Sequence, residues 1–280
     1  MQEVEACIAG RWRRKKTVDT GSSPGVAFAI AAHPDDIEFM MSGTLMLLGR
    51  AGWELHYMNV ATGSCGTVTQ TRDEIVRVRT DEARAAAWTI GATFHEPIVD
   101  DIDIFYQKDQ LARIGAIVRE VAPNVVLLQS PQDYMEDHMN SSRLAVTAAF
   151  CRGMRNFPTD PPTPPTTQDV ALYHSLPYGL QDQLRRPIVP DFFVDVSEVV
   201  GAKRDMLACH RSQKEWLDAS QGLDSYLVTM ESMCEEVGRM SGRFRFAEGW
   251  RRHSHLGFGP EDYDPLTAAL GERAAPRRDP

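Results

Sequence analysis

His33, Pro34, Asp35, Asp36 and Glu38 place one imidazole and three carboxylates within residues 33–38. Imidazole and carboxylate donors at this density are the raw material of a divalent-metal site. The same residues have plainer uses: His-Pro suits a turn, and Asp-Asp after a strand suits the cap of the next helix. A second polar burst, Gln129 to Asn140, contains Asp133, Tyr134, Met135, Asp137 and His138. If the two bursts meet, His138, Asp137 and Asp133 come within reach of His33 and Asp36. Two histidines and a carboxylate match the three-ligand sets of catalytic zinc, which leave a position open for water or substrate. Structural zinc would close that position with protein. The five cysteines, at 7, 65, 151, 209 and 234, offer no Cys-x-x-Cys pair for it.

The elements around these bursts supply the reason to expect them together. Residues 26–32 form a near-continuous apolar run, as in a strand buried on both faces of a parallel sheet. Pro34 ends it and holds His33 extended. A helix is expected over 40–50, a strand over 54–61 and the small-residue loop Thr62 to Thr67 after it. A long helix follows over 72–90, then a short strand over 93–99, a helix over 107–121 and a buried strand over 124–129. Such alternation predicts an α/β fold, a Rossmann-like, mostly parallel sheet with helices on both faces. Both bursts then lie on the carboxyl edge, where open α/β sheets bind ligands. Further on, a helix over 144–154, strands over 169–174 and 191–196, and helices over 197–216 and 223–240 are expected. One domain over 25–258 is anticipated, after a flexible arm (1–24) and before a loose polar tail (259–280).

Composition narrows the partners. A formal charge of −9 over 280 residues disfavours nucleic acid. No apolar run reaches the roughly 18 residues of a membrane span. The basic stretch Arg11 to Lys16 lacks the apolar segment of a secretory signal. Unpaired, widely spaced cysteines suit a reducing, cytoplasmic setting.

Ala32-His33-Pro34-Asp35-Asp36, the strand before it and Asp137-His138 resemble the zinc-dependent N-acetylglucosaminyl deacetylase superfamily, the PIG-L or LmbE-like family. Thr62-Gly63 with Gly66, Arg79 with Glu82, Lys203 with His210 to Gln213, and Ala247-Glu248-Gly249 extend the resemblance over about residues 26–250. The resemblance implies a cytoplasmic, metal-dependent hydrolase that removes an acetyl group from an N-acetylated amino sugar or glycoconjugate. It implies His33, Asp36 and His138 as ligands of Zn²⁺ or another divalent metal, Asp35 as general base and a homo-oligomeric assembly. Bound Zn²⁺ can bring the pKa of water to about 7, and a neighbouring carboxylate that is not a ligand can take the proton.

The chain departs from the family pattern at one point. The family has His-Pro-Asp-His before the third ligand, and this chain has Met135-Glu136-Asp137-His138. A thioether neither donates a proton nor stabilises an oxyanion. Tyr134 is one replacement donor; His210, or His253 or His255, is another; the third reading is a catalytically impaired metal- or ligand-binding protein. Asp137, which in the family supports the missing histidine, needs a new role. Arg79 and Ser64 are expected to contact substrate. Glu38 is either a support for a ligand histidine or a first-turn helix acid. An amidase of thiol conjugates is the alternative enzyme reading.

Overall fold

The computed structural model describes residues 24–214 and 225–277. The expected arm therefore lies outside the described residues, except for Pro24. Eight strands form one sheet in the order β3-β2-β1-β4-β5-β7-β6-β8. The strands are β1 (Val26–Ala31), β2 (Glu54–Asn59), β3 (Thr93–His95), β4 (Val125–Leu128), β5 (Ala171–Ser175), β6 (Phe192–Asp195), β7 (Ala247–Arg252) and β8 (Ala274–Pro276). The first five run parallel; β7, β6 and β8 join antiparallel. β1 is fully paired, with Ala29 opposite Tyr57 on one side and Leu127 on the other. Its apolar run serves both faces: Ala27, Ala29 and Ala31 enter one core cluster, and Phe28, Ile30 and Ala32 the other. The chain steps from β1 outward to β2 and β3, then returns to β4 on the other flank. The gap between the ends of β1 and β4 is thus a topological switch point, where such sheets bind ligands.

Helices α1 (Asp36–Met40), α2 (Ser42–Arg50), α3 (Arg72–Thr89), α4 (Lys108–Val121), α5 (Glu136–Phe150), α6 (Val200–Leu207), α7 (Ser225–Ser241) and α8 (Pro265–Leu270) surround the sheet. The single helix expected over 40–50 is two, divided at Met41. The start of α2 is fully buried, and its amides are met by a carboxylate rather than by a preceding turn. Glu248 of β7 accepts from the Gly43 and Thr44 amides at 2.8 and 2.7 Å and from the Thr44 hydroxyl at 2.6 Å. Lys203 of α6, itself buried, pairs with the same carboxylate. A negative group at a helix N-terminus is favoured by the dipole, and the lysine neutralises what would otherwise be a buried charge.

Two further boundaries differ from expectation. α5 begins at Glu136, not near Leu144, so Asp137 and His138 ride on its first turn. Asp133 accepts from the Met135 amide at 3.2 Å just ahead of that turn, and Glu136 and Asp137 suit its N-terminal dipole. The loose tail expected over 259–280 is also corrected for its described part. Asp264 caps α8 by accepting from the Thr267 amide, with Pro265 at the first helical position. Leu266 and Leu270 are buried, and β8 then pairs with β6. Polar composition concealed a short capped helix with two apolar anchors. Among the described residues no helix is long and apolar enough to cross a membrane.

Replacing Glu248 by Gln leaves Lys203 charged and without its counter-ion in the core. We expect a loss of about 3–5 kcal/mol in unfolding free energy, measured by urea titration. A loss below about 1 kcal/mol would show that the Lys203–Glu248 pair is not what stabilises the junction of α2, α6 and β7.

Candidate functional site

Beyond β1 the chain turns sharply. Asp35 adopts φ 104°, a left-handed conformation uncommon outside glycine. The turn closes through the His33 amide, which donates to Asp36 Oδ2 at 2.7 Å. Asn59, at the end of β2, donates to the His33 carbonyl at 2.6 Å, and Gln129, at the end of β4, accepts from the Ala32 amide at 2.8 Å. Polar residues at the ends of both neighbouring strands therefore fix the segment that carries the imidazole. Strained backbone of this kind persists where the surroundings over-determine it, often at functional sites.

The structure brings His33, Asp36 and His138 together, each offering a ligand atom within 4.8 Å of the others. His138 Nε2 lies 3.5 Å from Asp36 Oδ1, and His33 Nδ1 lies 3.5 Å from Asp36 Oδ2. The remaining nitrogen of each ring is held by a carboxylate. Asp133 Oδ1 is 2.9 Å from His138 Nδ1, and Asp137 Oδ2 is 2.9 Å from His33 Nε2. Histidines that bind metals are commonly oriented in this way, which fixes the tautomer and raises ligand basicity. Burial opposes protonation of His33, but Asp137 and Asp36 outweigh it and lift its pKa to about 10. Asp36 is held well below the usual carboxylate range, against its burial, by His138 and His33. This concentration of facing donors fits a divalent cation: two buried imidazoles and one half-buried carboxylate converge.

Asp35 stands beside this triad. Its Oδ2 accepts from the Tyr226 hydroxyl at 2.8 Å and lies 3.8 Å from Arg79 Nη2. Burial raises its pKa, while the Arg79 charge and the Tyr226 hydrogen bond oppose the rise. Arg79 reaches over from α3 and donates to the carbonyls of Pro34 at 2.6 Å and Gly63 at 3.2 Å. Gly63 and Gly66 are required by this contact: a Cβ there would meet the guanidinium at 2.6 and 2.3 Å. Ser64 is half-buried and accepts from the Asp101 amide at 3.1 Å, which ties it to its own loop.

Asp137 has a role that does not need the absent histidine. Besides His33, its Oδ2 accepts from the Ile102 amide at 2.7 Å, and the two contacts depress its pKa against burial. Tyr134 is 55% exposed, with its ring 5.4 Å from that of His138 and nearly perpendicular to it. His210 lies behind the turn: it is fully buried, with Nε2 3.4 Å from Glu38 Oε1, and burial holding its pKa down is overcome by Glu38 and then Asp35. Glu38 also lies 3.1 Å from the Tyr57 hydroxyl through both oxygens, so it supports the turn from behind. His253 is level with Leu172 in mid-sheet, against His174 at 3.0 Å, and does not reach the carboxyl edge.

Two contributors escaped the sequence reading, and a third was named there without a role. Asp101 accepts from the Gly63 and Cys65 amides at 2.7 and 2.9 Å and so braces the Thr62–Thr67 loop. Its signal was present, because Asp100-Asp101 follows the third strand just as Asp35-Asp36 follows the first. Asp133 could be singled out only as one acid among several. Tyr226 offered no local signal, since α7 docks against the site from far along the chain.

Residues 28–149 match a family model described as PIG-L: GlcNAc-PI de-N-acetylase. The diacetylchitobiose deacetylase of Thermococcus kodakarensis is 27% identical over 232 residues, covering 79% of this chain and 80% of that protein. A 4-oxalmesaconate hydratase of Pseudomonas putida is 25% identical, covering 75% and 82%. The solved structure of the N,N'-diacetylchitobiose deacetylase from Pyrococcus horikoshii superposes with a TM-score of 0.70 at 20% identity, covering 86% of this chain and 88% of that one. At that identity the last likeness concerns the fold.

His138→Ala should abolish stoichiometric metal binding. Asp133→Ala should retain the ligands but weaken affinity by about 10–100-fold. Elemental analysis and competition with a chelating dye read both. A full equivalent of metal on His138→Ala would remove His138 from the ligand set.

Proposed function

We propose, taking the chain's PIG-L family domain as the premise, that it is a metal-dependent N-deacetylase releasing acetate from an N-acetylated amino sugar or glycoconjugate. The observation that carries this reading is the triad of His33, Asp36 and His138 with Asp35, a carboxylate outside the triad, poised beside it. His33, Asp36 and His138 would hold the cation, with Zn²⁺ the expected ion. When bound, it supplies Lewis acidity and a water that ionises near neutral pH.

The protein's own groups account for the proton movements. Asp35 receives the proton of the attacking water; its buried setting, tempered by Arg79 and Tyr226, moves its pKa towards the working range of a base. Tyr226 and the left-handed backbone hold the carboxylate still, so that little reorganisation accompanies proton transfer. The tetrahedral oxyanion then needs a donor, a term commonly worth 10²–10³ in rate. Met135 supplies none. Tyr134 is exposed on this edge and its ring packs on His138, so we assign its hydroxyl the oxyanion contact. The proton held on Asp35 passes to the departing amine. Arg79 and Ser64 act here by positioning the two loops. This is a change from the expected substrate contact, because both groups are engaged by the protein.

Two other readings are attached to particular observations. The hydratase relative favours addition of water to a carbon–carbon double bond. Met135 favours an impaired enzyme that retains only binding. Acetate release from N-acetylglucosamine and its oligomers separates the deacetylase from both, and cleavage of a larger amide would point to a thiol-conjugate amidase. We expect the soluble assay to use a small-molecule substrate, with no nucleic acid or membrane, and the enzyme to be a cytoplasmic homo-oligomer.

Asp35→Asn should keep its metal and lose turnover by about 10²–10⁴-fold in kcat, read by acetate release and elemental analysis together. Tyr134→Phe should lower kcat about 10²–10³-fold. An undiminished rate would take the oxyanion role away from Tyr134.

A further inference from the structure

Tyr178 has no part in the chemistry above, yet it occupies a deliberate position. It follows β5 on the same carboxyl edge as β1 and β4. Its ring leaves 41% of the residue exposed, an unusual outlay for a large aromatic held so firmly. Pro177 precedes it, and Gly179 and Leu180 follow with φ 75° and 59°, two successive left-handed residues. The Leu180 amide closes that turn on the Pro177 carbonyl at 2.9 Å. Backbone torsions of this cost in a non-glycine residue mark segments whose geometry is fixed for a purpose. From beneath, the Phe39 ring meets Tyr178 at 5.6 Å and 77°, and Phe39 in turn meets Tyr226 at 5.1 Å and 72°.

The exposed side of Tyr178 faces Tyr134, with ring centroids 6.2 Å apart and planes inclined at 57°. The two rings come from different loops, after β5 and after β4. Both phenols are raised above their usual pKa first by burial and then by neighbouring carboxylates, Asp35 among them in each case. Tyr134 also packs against the His138 ring at 5.4 Å, so the pair of tyrosines stands at the margin of the triad. Gln132, two residues ahead of Tyr134 in the same loop, accepts from Arg251 at 2.7 Å, so that loop also carries polar groups. An exposed tyrosine face at the edge of a hydrolytic site, with a second ring inclined beside it, suits a flat, polyhydroxylated ring that has one face of C–H groups and an equator of hydroxyls. Tyrosine suits this work because it offers wide contact area with few rotors to freeze.

We propose that Tyr178, with Tyr134 beside it, is a stacking platform for a pyranose ring of the substrate, and that Tyr178 is the residue that selects sugars over other N-acyl amines. This rests on the N-deacetylase reading and assigns it a specificity determinant. Binding of the glucosamine dimer, which has no acetyl group to lose, tests it by titration calorimetry and saturation-transfer NMR on the purified protein. Acetate release from the acetylated dimer is followed in parallel. Tyr178→Phe should bind within about threefold of the parent, whereas Tyr178→Ala and Tyr178→Leu should bind about tenfold more weakly, the leucine keeping apolar area but not the plate. Ala or Leu variants that bind within twofold of the parent would overturn the platform, and the deacetylase reading would stand if acetate is still released. Ring-dependent binding without acetate release would uphold the platform and overturn the deacetylase reading. Absence of both sugar binding and acetate release in the parent would overturn the two together.

Discussion

The buried guanidinium of Arg79 is the contact on which the rest of the site depends. The turn after β1 and the loop after β2 each end in carbonyls that the sheet does not satisfy. Arg79 donates to one from each, at Pro34 and Gly63, while its charge lies near Asp35 and Asp101. A planar fork can serve two acceptors in fixed directions, whereas a lysine ammonium is a point charge on a flexible stem. The two glycines of the loop are the complement of that fork. Without it, two carboxylates would lose their nearby countercharge, and the strained turn at Asp35 would lose its clamp.

Around that clamp, acids and bases are arranged so that each histidine of the triad has one nitrogen spoken for. Asp133 and Asp137 both sit just before or within the first turn of α5, five residues and one residue ahead of His138. The start of one helix thus carries one histidine of the triad, and it and the residues just ahead of it carry the carboxylates that orient that histidine and His33. A second buried pair, Glu248 with Lys203, does for α2 what the carboxylates do for the site: it replaces solvent at amides that the fold has buried.

Much of this was legible in the chain. The apolar run at 26–32 and its abrupt polar end gave the central strand and its edge, because only a doubly covered strand omits alternation. The distance in sequence between His33 and His138 was bridged by topology, since strand ends in a parallel sheet share an edge. What escaped depends on contacts between remote segments. The break at Met41 is caused by Glu248, some two hundred residues later, and the partner of Asp35 is Tyr226 on a late helix. The tail was misread because two leucines in a polar stretch carry little weight until a buried surface awaits them. His210 stands in a suggestive cluster, yet its environment is Glu38 and the core, a matter of packing direction that residue type does not encode.

The two margins of the sheet are each formed by a strand of three residues, β3 and β8. Among the described residues, the backbone presented at each margin is therefore short, and Pro276 at the end of β8 further blunts one of them. The C-terminal segment consequently acts as a guard for solubility as well as a structural element. A chain shortened ahead of Ala274 would bare the edge of β6, with Phe192 and Phe193 upon it, and would meet other copies of itself edge to edge.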